Sequence, residues 1–174
     1  MIVVWIVGVI VILFGLIVFR GAPYVPSQKR YVRQAFTELY PLSNKDVLVD
    51  IGSGDGIVLR QASERGARAI GYELNPLLVL LSRFLSRRDS KVCVILADFW
   101  LTPLPEATTV VYAFSVSRDI KNMSKKIQRE ANRLHHPLRF IIFGNALAGR
   151  EADNTVGAYR LYTFYPLQVP EAQV

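Results

Sequence analysis

"VLVDIGSGDG", Val47 to Gly56, is the stretch on which the fold turns. An apolar, valine-rich run ends in an acid and meets three glycines, the pattern of a buried strand feeding a tight turn and then a helix. A dinucleotide fingerprint would read G-x-G-x-x-G, spacing its glycines so that backbone amides and the helix start meet a pyrophosphate. Here Gly52, Gly54 and Gly56 alternate as G-x-G-x-G, and Asp50 and Asp55 flank them. Two carboxylates at close range repel a pyrophosphate. Phosphate is disfavoured.

Outward from the turn, strands and helices alternate. The spacing predicts strands over Asp46–Ile51, Arg68–Glu73, Lys91–Leu96, Thr109–Phe114 and Arg139–Phe143, and helices over Asp55–Glu64, Pro76–Arg88 and Arg118–Leu134. An earlier helix is expected from Ser27, as its cap, to Tyr40. Strands joined by helical crossovers imply a parallel α/β sheet covered on both faces, and continuous apolar runs such as "TVVYAF" and "RFIIF" fit that burial. The tail Tyr159–Val169 reads as a last strand arriving without a helix, antiparallel and at an edge. The polar stretch Gly149–Gly157 reads as a mobile connection.

In such sheets ligands bind beyond the carboxyl ends of the strands, where strand order reverses. A ligand carrying an amino group and a sulfonium, with no phosphate, suits the glycine turn. Glycines let the backbone approach closely, the helix start faces a carboxylate, and a nearby acid balances positive charge. S-adenosylmethionine has these features. Glu73 ends the second strand, placed for the ribose hydroxyls, and Asp98 follows the third, placed for the adenine amino group with Phe99 or Trp100 on the ring. Taken singly, these residues also fit as turn caps, solvated strand ends or core.

The motifs "YVPS", "VDIGSGDG", "GYELNP" and "ADFW", in this order, resemble the class I methyltransferases that modify lysines of the ATP synthase c-subunit and the adenine nucleotide translocase. The resemblance covers Tyr24 to Phe143. It implies a Rossmann-like, mostly parallel sheet and S-adenosylmethionine as cofactor. It further implies that Asp50, Gly52, Gly54, Asp55 and Gly56 wrap the methionine part, Glu73 the ribose and Asp98 with its neighbours the adenine, with Ser53, Leu74, Asn75 and Phe99 also among the cofactor-binding residues. Tyr24 and Val25 would form a lid-like segment. Ile57 stands where family members often carry an arginine. No "DPPY" or "NPPY" tetrapeptide follows the fourth strand, which argues against an amino-adenine DNA methyltransferase.

Residues 1–20 read as a transmembrane helix preceding that sheet. Ile2–Phe19 carry no charge, and as a helix they would span about 27 Å, close to the ~30 Å of a bilayer core. Arg20, Lys29, Arg30 and Arg33 follow the run, which places the remaining chain on the cytoplasmic or matrix side of a single-pass protein. Residues 21–45 are then a linker and N-terminal helix, and 46–174 the methyltransferase domain.

The net charge of +7 fits membrane proximity as well as nucleic acid, and no nucleic-acid partner is expected. "SRR" at Ser86–Arg88 and "SKK" at Ser124–Lys126 read as solvated faces. Cys93, the single cysteine, reads as an inert core thiol. His135 and His136, before Pro137, read as a helix end, and no metal site is expected.

Methyl transfer from a sulfonium mainly requires alignment of donor and nucleophile, so no catalytic base is assigned. Tyr24, Trp100, Phe114 and Ser115 are expected near the transferring methyl. The expected function is methylation of a lysine on a membrane protein. The alternatives are methylation of a lipid-soluble small molecule and a non-catalytic S-adenosylmethionine-binding module.

Overall fold

The computed structural model describes residues 27–115 and 119–167, together with Met1, Trp5 and Gly8. Helix α1, Lys29–Gln34, widens into a π-helical turn, Ala35–Leu39. Then come β1 (Val47–Ile51), α2 (Ile57–Ser63), β2 (Arg68–Glu73), α3 (Pro76–Leu85), β3 (Val92–Leu96), β4 (Val110–Ser115), α4 (Ile120–Leu134), β5 (Leu138–Gly144), β6 (Asn154–Val156) and β7 (Tyr159–Phe164).

The strands form one sheet in the order β3-β2-β1-β4-β5-β7-β6. The pairs among β1 to β5 are parallel, and β7 runs antiparallel to both β5 and β6. The expected Rossmann-like sheet with an antiparallel last strand is therefore present. Its last strand is not at the edge, however. Asn154–Val156, inside the stretch read as a mobile connection, turns back through Gly157, whose φ is +59°, and pairs with β7 from outside. Three residues are too few to show an alternating pattern, so this strand has no signature of its own.

Strand parity sorts the core into two layers. Leu48, Val110, Tyr112 and Ile141 face one side, against α1, the π-helical turn, α2 and α3 through Val32, Phe36, Leu59 and Val79. Val49, Val111, Phe140 and Ile142 face the other, against α4 through Met123, Ile127 and Ala131. The segment between β3 and β4 holds no helix, and Phe99 and Leu104 cover the sheet there instead. Cys93 is consequently exposed, because it lies on edge strand β3, rather than being a core thiol. Ser27 does not cap α1. Gln28 occupies the cap position without a side-chain bond, and Ser27 hydrogen-bonds the buried Tyr112 hydroxyl.

The transmembrane helix expected ahead of the sheet is corrected. Among the described residues no helix is long and apolar enough to cross a membrane. The longest, α4, has fifteen residues and carries Lys121, Lys125 and Arg129 on its exposed side, whereas a span needs about twenty mostly apolar residues. Apart from Met1, Trp5 and Gly8, residues 1–20 lie outside the described set. The single-pass placement and the assignment to the cytoplasmic or matrix side are withdrawn with the helix.

Candidate active site

Strand order reverses between β1 and β4, so the chain leaves these neighbours toward opposite faces and opens a crevice at their carboxyl ends. The glycine turn lies in it. The amides of Gly52 and Ser53 donate to the Tyr72 carbonyl at 2.8 and 3.1 Å, and that of Gly54 to the Glu73 carboxylate at 2.8 Å. Gly52, Gly54 and Gly56 all have positive φ, at 74°, 54° and 78°, which L side chains rarely adopt. Two of them also differ in what surrounds them. A Cβ on Gly52 would meet nothing within 4 Å, leaving backbone open to a ligand, whereas one on Gly56 would run into the Ser82 hydroxyl of α3.

Asp50 is 2% exposed near the end of β1. Burial first, then the charges of Glu73 and Asp55, hold its pKa well above the ordinary carboxylate value. Among the described residues, none of these causes is a cation or a hydrogen-bond donor. A buried carboxylate crowded by two others is electrostatically incomplete, and a cationic group placed beside it removes the penalty. An amino group or sulfonium meets that need, and a pyrophosphate worsens it. The residues present therefore fit S-adenosylmethionine.

Glu73 is buried at the end of β2. One oxygen accepts from Gly54 and the other from the Asn75 amide at 2.8 Å, and each retains a lone pair for a further donor. Asn75 caps α3, its side chain accepting from the Leu77 amide at 3.0 Å, and Leu74 is half-buried between them. Asp55 accepts from the Ile57 amide at 3.1 Å and lies 3.8 Å from the Arg60 guanidinium, which also donates to the Asp55 carbonyl at 2.7 Å. Arg60 thus braces the turn from one helical turn beyond Ile57.

After β3, Asp98 accepts from the Trp100 amide at 2.8 Å. Phe99 is buried in the core, and Trp100 is 41% exposed with its ring 5.2 Å from that of Phe99. Of the two aromatics considered for the adenine, Trp100 is the one that faces outward. Phe114, near the end of β4, is 38% exposed and tilts over Phe143 at 5.2 Å. Ser115 ends β4, and its side chain is outside the described set, as are Tyr24 and Val25 altogether.

Three charged residues that the sequence reading did not assign to the site join this region, and for one of them the solvated face expected is corrected. Lys126, within the run read as a solvated face, is 6% exposed, and its ammonium donates to the carbonyls of Phe99 and of Thr102, the latter at 2.8 Å. Desolvation lowers its pKa. Glu130 accepts from the Leu104 amide at 2.9 Å, and Arg133 donates to the Leu104 carbonyl at 2.5 Å and to Glu130 at 2.6 Å. The sequence signal was their helical spacing beside Met123, Ile127 and Ala131, where polar residues share an apolar face.

Comparison with known proteins agrees with this geometry. Over 111 residues the chain is 36% identical to the ATP synthase c-subunit lysine N-methyltransferase of Xenopus laevis, covering 62% of this chain and 48% of that protein. Over 112 residues it is 35% identical to adenine nucleotide translocase lysine N-methyltransferase of Mus musculus, covering 62% and 48%. The chain spans about half the length of these relatives. Its fold superposes on an RNA methyltransferase from Salinibacter ruber in complex with S-adenosyl-L-homocysteine. The TM-score is 0.72 and the identity 25%, over 85% of this chain and 98% of that one. Residues 50–136, from the buried aspartate of the glycine turn to the end of the helix that holds the loop after β3, match the ANTKMT methyltransferase domain, and the chain belongs to that family.

Proposed function

We propose that this chain is an S-adenosylmethionine-dependent lysine N-methyltransferase whose acceptor is a protein of the ATP synthase c-subunit or nucleotide translocase type. The observation that carries the cofactor is the Asp50 carboxylate, 2% exposed near the end of β1 and crowded by Glu73 and Asp55, beside the open backbone of Gly52. The names of the relatives support the lysine acceptor.

When bound, S-adenosylmethionine supplies a methyl already activated by its sulfonium. Asp50 and Asp55, with the backbone of Gly52 and Gly54, hold its amino-acid part. Glu73 uses its remaining lone pairs for the ribose, and Asp98 and Trp100 flank the adenine. Phe114 forms the apolar side on which the acceptor amine loses water. A lysine must be neutral to attack, and desolvation there favours its neutral form.

The test is transfer of radiolabelled methyl from the cofactor to isolated membranes that contain the ATP synthase c-subunit. Label that stays with the protein after lipid extraction supports the reading. Label found only in the organic phase replaces the acceptor with a lipid-soluble molecule. Cofactor binding without any transfer reduces the chain to a binding module.

A further inference from the structure

Helix α3 is inverted with respect to an ordinary surface helix. Its sheet-facing side is Val79, Ser82 and the following Ser86, all buried, while Leu77, Leu80, Leu81, Phe84 and Leu85 point outward and are exposed. Leu80 and Phe84 are each 61% exposed. Their spacing makes one continuous stripe of about 12 Å, at 1.5 Å rise per residue. An apolar face of this kind on a folded domain marks an interaction surface.

Its position limits what the partner is. The helix starts immediately after Asn75, whose amide is held by Glu73, and its buried side touches the glycine turn where Ser82 meets Gly56. Exposed Trp100 and Leu101 follow the carboxyl end of the neighbouring strand β3. The stripe therefore starts at the mouth of the candidate site, with Leu77, and runs from there toward the opposite edge of the sheet, and the molecule that must be at that mouth during transfer is the acceptor. On the exposed edge of β3 the Val94 carbonyl is already taken, because Arg83 reaches over and donates to it at 2.9 and 2.7 Å, which disfavours strand addition there. The bases Arg88 and Lys91 are exposed beyond the far end of the stripe, and Arg87 stacks on Phe84 there, its guanidinium 4.4 Å from the ring centroid. An interfacial helix on a bilayer carries its bases along a polar face instead.

We infer that the outward face of α3 is a docking site for the protein acceptor, seating an apolar helix of that protein with acidic side chains against Arg87, Arg88 and Lys91. The inference rests on the proposed protein-lysine acceptor. It adds a contact outside the cofactor pocket, by which the enzyme recognises its substrate at a distance from the lysine.

The experiment compares the full chain with Leu80→Ser/Phe84→Ser and with Arg87→Glu/Arg88→Glu. Fluorescence anisotropy measures binding of the labelled ATP synthase c-subunit in neutral detergent micelles, and calorimetry measures S-adenosylhomocysteine binding. Each variant is expected to weaken binding of that acceptor by about tenfold or more, the usual effect of removing interface anchors, and to leave S-adenosylhomocysteine affinity unchanged. Equal binding of the acceptor by the variants and the parent, or no binding by the parent, overturns the docking site. So does an equal loss of binding to anionic lipid vesicles free of protein, which would assign the stripe to lipid. An acceptor that binds through the stripe yet gains no methyl counts against the proposed activity alone.

Discussion

The amide of Gly54 donates to the carboxylate of Glu73 at 2.8 Å, so a side chain at the end of β2 fastens the turn that follows β1. The same carboxylate holds the Asn75 amide at the start of α3. Glu73→Gln turns one acceptor into a donor and sets it against a backbone amide. The variant is expected to lose about 1–3 kcal/mol of stability, read by urea denaturation, with weaker S-adenosylhomocysteine binding. Unchanged stability would show that the turn is held elsewhere.

Asp50 gives the ligand-free protein a definite pH dependence. Its folded pKa is raised well above the ordinary carboxylate value, so the folded state holds this proton more tightly than the unfolded chain. The stability it contributes is complete below the ordinary value and is lost as pH rises through the raised one. Asp50→Asn removes that loss and is expected to raise the melting temperature at neutral pH by about 2–5 °C. Calorimetry is expected to show S-adenosylhomocysteine binding weakened by about tenfold or more, on the scale of one lost charge-assisted contact. An unaltered pH profile of melting in the variant would refute the buried, crowded carboxylate.

Gly56 is constrained twice, by its φ of +78° and by the Ser82 hydroxyl standing where a Cβ would go. Gly56→Ala should destabilise by about 2–4 kcal/mol from backbone strain and overpacking together. Adding Ser82→Ala relieves the clash but not the dihedral strain, so recovery is expected to be partial. Full recovery in denaturant titrations would mean that the left-handed conformation costs nothing here.

Lys126 ties α4 to the loop bearing Trp100, with its ammonium 4.6 Å from the Phe99 ring centroid. Lys126→Met keeps the packing volume and strands two carbonyls, which costs about 1–3 kcal/mol. In a Trp5→Phe background the remaining tryptophan, Trp100, is expected to emit further to the red and to respond less to S-adenosylhomocysteine. If both spectra match the parent, the lysine does not position that loop.

Inside the core, the Tyr112 and Tyr159 hydroxyls lie 3.3 Å apart, and burial raises the pKa of both. Tyr112→Phe and Tyr159→Phe are each expected to destabilise by about 0.5–1.5 kcal/mol. The double variant should cost less than the sum, because the second change removes a partner already lost. Strict additivity in a double-mutant cycle would show that the hydroxyls do not interact.

Sequence by itself determined the alternation of strands and helices, the glycine turn after β1 and the acids after three successive strands. These are local matters: burial on both faces requires continuous apolar runs, and only glycine adopts the turn's left-handed angles without strain. Tertiary structure alone decided the rest. Asn154–Val156 becomes a strand only because β7 offers it an edge, and Lys126 is buried only because the loop after β3 brings two carbonyls to it. Cys93 and the outer face of α3 are exposed because nothing in the described fold covers them, although both are as apolar as core. Whether a charge or a leucine is buried depends on what arrives from a distant part of the chain, and neither composition nor spacing records that.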